Sequence, residues 1–209
     1  MISFILKAKH WQIFLLSFGI LFILEIFFMA FMFSQIMSHH EMNPEIPLYF
    51  IFIAMPLFSL VTISTLFAWF WSVVIGLQSK IPSEFQMPIT RIKIFIILPF
   101  TYIFIIMMLV IFLMNILMSS PNANADIDHW ILKSMFIIIP MHLISMASML
   151  HTLYYVAKTI KTVELQRKVS FSDFAGEFFL VWFFPIGIWI LQPRINRWAA
   201  EIETIKTEE

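Results

Sequence analysis

A carboxylate lies inside the first long apolar run of this 209-residue chain, and two histidines lie inside the fourth. Glu25 falls just past the middle of residues 11–33, and His142 and His151 fall within 131–157. An ionisable group in hydrocarbon costs several kcal/mol, which makes each a candidate for proton or cation handling. With side chains turning by about 100° per residue, Ser134, Ser145, Ser148 and Thr152 share one face of the fourth run. The two histidines flank that face on either side. Two readings stand. In one, Glu25, His142 and His151 form a relay or substrate path past Ser145 and Ser148. In the other, Glu25 is protonated and hydrogen-bonded to a neighbouring helix, and the hydroxyl stripe is a packing face. A haem would need a histidine from a second span, and no other span has one, so no cofactor is expected.

Similar stripes run along the other apolar segments. Thr62, Thr65, Trp69, Ser72 and Gly76 recur at helical spacing in 48–77, and Thr101, Met108 and Asn115 share a face of 94–118. Asn115 is the expected interhelical hydrogen-bond donor there. Pro56, Pro99 and Pro140 lie within spans and are expected to kink them or free a carbonyl. A second cluster lies between the spans. His39, His40 and Glu41 share one connection, and Asp126, Asp128 and His129 share another. Imidazole and carboxylate suit zinc, copper or nickel. Adjacent histidines cannot alone set a tetrahedral site, and no HExxH spacing is present, so metal binding is the weaker reading. Asp128, just ahead of Trp130, also reads as a helix N-cap.

These residues must be positioned by something, and the composition says what. The chain is 61% hydrophobic and 12% charged, against about 45–50% and 25% for a soluble domain. A bilayer core about 30 Å thick takes roughly 20 helical residues, and the backbone in lipid must satisfy its own polar groups. The expected fold is an all-α polytopic bundle, one membrane domain over 1–209, with spans at 11–33, 48–77, 94–118 and 131–157. The remaining pieces are too short to hold a core of their own. The absence of cysteine excludes disulfides, thiolate metal sites and cysteine nucleophiles. No Walker, Rossmann or GxSxG motif is present, and nothing points to nucleic acid.

Lysine and arginine set the orientation. Lys7 and Lys9 precede the first span; Lys80, Arg91 and Lys93 follow the second; Lys158, Lys161, Arg167 and Lys168 follow the fourth. The alternate connections hold only Lys133. Both termini are therefore expected in the cytoplasm. A fifth apolar stretch, 174–191, is short, carries Glu177, and is interrupted by Pro185 and Gly187 before Pro193 ends it. Were it to span, Arg194, Arg197 and Lys206 would move outside, so it is expected to re-enter or to lie at the interface. Ser170-x-x-Asp173 resembles a capping box at its start.

The run FSDFAGEFFLVWFFPIGIWILQPRIN over 171–196 carries Glu177, Pro185, Gly187, Gln192 and Arg194, and Lys161-Thr-Val-Glu164 precedes it. This segment resembles the C-terminal signature of small, uncharacterised four-span membrane proteins of Bacteroidota. The resemblance implies a bacterial inner-membrane location and brings no activity, cofactor or catalytic residue.

Three functions remain in competition. The first is a non-catalytic accessory or scaffold subunit, whose partners would be the bilayer and either another membrane protein or further copies of the chain. The second is a small-solute or proton-coupled transporter using Glu25 and His142. The third is a membrane metal-binding protein or enzyme.

Overall fold

The computed structural model describes residues 2–37, 45–119 and 124–208, with the side chains of 45–46, 117–119, 124–132 and 203–208 left aside. Every regular element among the described residues is helical. A short α1 (Ile2–Lys7) is followed by α2 (His10–Met37) and by α3, which runs from Glu45 to Gly76. Then come α4 (Ile89–Ser119), α5 (Asn124–Leu165), α6 (Phe171–Trp182) and α7 (Phe184–Glu208). Four helices are long and apolar enough to cross a membrane: His10–Met37, Pro47–Lys80, Ile89–Ile116 and Lys133–Leu165. These are the four expected spans. The residue that ends α5 is Gln166 at φ 52°, a left-handed C′ residue whose N–H bonds the Thr162 carbonyl at 2.9 Å. Its side chain reaches the Lys80 carbonyl at 3.0 Å and so ties this helix end to the turn after α3. Because α5 already begins at Asn124, Asp128 lies within the helix and is not its N-cap.

Two spans contain a π-helical turn, Leu15–Gly19 in α2 and Phe50–Ala54 in α3. The second has a visible cause. Pro56 lacks an N–H and its ring crowds the carbonyl four residues back, and the wider turn sits at that point. Pro99 and Pro140 lie inside α4 and α5.

The core gathers at one end of the bundle. Trp69, Val73 and Val74 of α3 and Leu77 just after it pack with Ile92 and Ile96 of α4 and Val156 and Ile160 of α5. Val181 of α6, Ile188, Leu191 and Ile195 of α7 and Leu6 of α1 complete it. We call this the basic end, because α1, the turn after α3 and the whole α5–α7 junction meet here. Close packing explains Gly76: a Cβ there would lie 2.6 Å from Leu6 and 2.7 Å from Ile2. By contrast, residues 20–37 of α2 contain no buried side chain.

The 174–191 stretch is neither one span nor a helix broken at its proline and glycine. The break falls at Phe183 (φ −88°, ψ 56°). Pro185 sits in the first turn of α7, where an N–H has no intrahelical acceptor and its loss costs nothing. Pro193 does not end the segment but lies inside α7. At 12 residues, α6 is about 18 Å long, well short of a bilayer. Its expected start is present: Asp173 accepts from the Ser170 backbone N–H at 2.7 Å. Gly187 has a stricter role. A Cβ there would fall 1.8 Å from the Leu180 carbonyl oxygen, so only glycine lets α7 fold back this closely on α6. Gly176, on α6, faces open space. These two glycines make a matched test. Gly176→Ala should stabilise by about 0.5–1 kcal/mol through helix propensity, whereas Gly187→Ala should destabilise by about 3 kcal/mol or more. Thermal unfolding in mild detergent reads both.

Candidate functional site

The structure does not assemble the relay. Glu25 is exposed on α2 and makes no hydrogen bond or ion pair among the described residues. His142 is also exposed, and its Nδ1 lies 3.2 Å from the Tyr102 hydroxyl of α4. His151 places Nδ1 2.9 Å from the Ala147 carbonyl of its own helix and stacks on Phe95, ring centroids 4.7 Å apart. The stripe between the histidines is a packing face. Ser145, Ser148 and Thr152 are buried, and the Thr152 hydroxyl lies 2.8 Å from the Phe95 carbonyl of α4. The Asn115 amide donates to the Ile111 carbonyl of its own helix at 2.8 Å.

The suggested metal ligands are not brought together in anything described. His39, His40 and Glu41 lie outside the described residues, as do the side chains of Asp126, Asp128 and His129. Among the described residues, no three His, Cys, Asp or Glu side chains converge as a metal site.

The polar centre of the fold lies instead on α7. Gln192 is fully buried. Its Oε1 accepts from the Trp69 indole N–H at 2.7 Å. Its Nε2 lies 3.2, 3.3 and 2.9 Å from the carbonyl oxygens of Ile5, Leu6 and Ala8. One helical turn on, Asn196 Nδ2 donates to Leu6 at 2.7 Å and is 3.1 Å from Ala8. The acceptors are backbone carbonyls at the C-terminal end of α1 and of Ala8 just beyond it, where a helix end leaves carbonyls without intrahelical partners. Trp189, on the same helix, packs against His10 and Phe14 of α2 at 4.6 and 5.7 Å between centroids. Sequence reasoning named Trp69 and Gln192 separately and missed both their bond and Asn196. The available signal was a pair of amides four residues apart, facing one way on an apolar helix.

Charge closes the same junction. Glu177 of α6, nearly buried, lies 3.2 Å from Lys161 of α5 and 3.5 Å from Arg194 of α7. Lys161 also holds Glu164 at 3.0 Å, and Lys80 holds Glu201 at 2.7 Å. In the α5–α6 turn, Arg167 meets Asp173 at 2.8 Å. That guanidinium, together with the Ser170 N–H and hydroxyl, holds the Asp173 carboxyl well below the usual carboxylate range. None of these groups faces a nucleophile. Most of these pairs join neighbouring elements, so the arrangement clamps helices together.

Two predictions follow from this geometry. Gln192→Leu removes the donor to α1 and orphans the Trp69 N–H, and should cost about 3 kcal/mol. It should also expose Lys7 and Lys9 to trypsin in mild detergent, with wild-type chain cut more slowly there. Because the folded Asp173 pKa is depressed, its contribution is present above the unfolded value of about 3.9 and is lost as pH falls through the folded one. Asp173→Asn should therefore lower the melting temperature at pH 7, and the gap from wild type should close below about pH 4.

Comparison with family models, curated proteins and solved structures returns no match to this chain.

Proposed function

We propose that this chain is a non-catalytic scaffold subunit of a membrane assembly, resident in a bacterial inner membrane, and that α2 is the helix its partner covers. One observation carries the reading. Residues 20–37 bury no side chain, yet Glu25 stands among them with no donor among the described residues. Phe27 and Met29 beside it are 70% and 63% exposed. Left against lipid, the carboxyl would carry its full desolvation cost. A partner helix that brings a hydrogen-bond donor or a cation to that depth removes it.

Orientation with both termini in the cytoplasm is supported by charge. Lys7, Lys80, Arg91, Lys93, Lys158, Lys161, Arg167 and Arg194 belong to elements that meet at the basic end, and such residues are retained on the inner face.

The chain should be purified in mild detergent at native abundance, with a photo-crosslinking residue in place of Met29 or, as a control, of Phe136 on α5. A single membrane-protein adduct at 29, lost in Glu25→Leu, is the expected result. A monomer without adducts at 29 overturns the reading, and an adduct with a second copy replaces the partner with self-assembly. Because the chain has no cysteine, single-cysteine variants report topology cleanly. Glu84→Cys should resist a membrane-impermeant maleimide in intact spheroplasts, and His40→Cys should react.

A further inference from the structure

A groove of about 430 Å³ opens beside α5 and α6, lined by Leu150, His151, Tyr154, Tyr155, Phe171 and Phe178. Its volume is within the range of small-ligand sites, and its walls are mainly aromatic. Those walls are held firmly. Tyr154 packs edge-on against Phe174 at 5.1 Å and against Tyr155 at 5.6 Å, and His151 is stacked on Phe95. The polar lining is not used up inside the protein. Neither tyrosine hydroxyl has a hydrogen-bond partner among the described residues. Lys158 stands just outside the lining, its ammonium 5.7 Å from the centre of the Tyr154 ring.

Lys158 differs from its neighbour. Lys161, one turn on, is engaged by Glu164 and Glu177, whereas Lys158 has no carboxylate partner among the described residues. No carboxylate lines the groove either. A cation, two hydroxyl donors and no acidic side chain select for an anion. The apolar walls, Leu150, Phe171 and Phe178, select for something attached to hydrocarbon. The groove belongs to the basic end, where aromatic residues and cations meet lipid headgroups.

We propose that this groove binds the phosphodiester headgroup of an anionic phospholipid. Lys158 and the Tyr154 and Tyr155 hydroxyls hold the phosphate, and the acyl chain follows Leu150 and Phe178. The site is separate from the α2 face and does not depend on what covers it.

The test uses the full chain, delipidated in mild neutral detergent, with native mass spectrometry and thermal unfolding as readouts. Phosphatidylglycerol is the probe, with phosphatidylcholine and inorganic phosphate alongside it. Wild-type chain should retain one phosphatidylglycerol and unfold at higher temperature with it. Lys158→Gln should weaken that affinity about tenfold, and Lys158→Arg should restore it. The Tyr154→Phe/Tyr155→Phe pair keeps the rings and so the packing, and should lose the preference over phosphatidylcholine. Lys168→Gln, in the adjoining turn, should change nothing. Equal retention of phosphatidylcholine by wild type overturns the proposal, as does wild-type affinity in both Lys158→Gln and the tyrosine pair. Saturable protection by inorganic phosphate, with no added effect of the lipid, would assign the site to a free anion and equally overturn it.

Discussion

A six-residue helix such as α1 ends with carbonyl oxygens that have no partner of their own, and in an apolar setting each must find a donor. The two amides of Gln192 and Asn196 supply donors to Ile5 and Leu6 from nearly 190 positions away. So short a helix is marginal by itself in water, since nucleation is unfavourable and few bonds repay it. Its persistence here depends on α7. The same dependence runs outward. With its amide nitrogen committed to α1, Gln192 can offer its oxygen to Trp69, which fixes the buried end of α3. Trp189 sets the start of α2, Arg194 meets α6, and Glu201 meets the turn after α3. One helix thus touches nearly every element of the basic end.

The two ends of the bundle therefore differ in physical character. The basic end is dense, hydrogen-bonded and charge-paired. Away from it, α2 presents apolar side chains and one carboxyl to whatever surrounds it. A protein built to hold a substrate path would bring its ionisable groups inward. Here hydroxyls pack α4 on α5 and the buried carboxylate, Glu177, is paired with Lys161, while Glu25 and His142 face out.

Much of this fold was legible in the sequence, because the spans rest on one-dimensional signals: apolar length, basic residues and local caps. The Ser170–Asp173 capping box was readable since both partners lie within one turn. The break near 183 was half readable. Pro185 and Gly187 announced that a helix could not run straight through. They did not say that the proline would begin the next helix, or that the glycine was needed for a carbonyl seven residues back. The Gln192 centre left almost no trace. Its acceptors are backbone oxygens, identical at every residue, and 184 or more positions away. The relay of Glu25 with the histidines failed for the opposite reason. Helical spacing fixes which residues share a face, but only packing decides which face turns inward.

The bond between Gln192 and Ile5 spans 187 positions, and this has a consequence for biogenesis. At about 5–20 residues per second, the first helix leaves the ribosome roughly 10–40 s before its partner is made. Through that interval, insertion of all four spans proceeds with the amino-terminal helix unlatched and its terminal carbonyls open to water or lipid headgroups. A helix translated after all four spans is the one that closes the structure. A nascent chain released before Leu191 could hold its spans in the bilayer and still present an unfastened amino terminus, a difference that quality-control proteases are suited to detect.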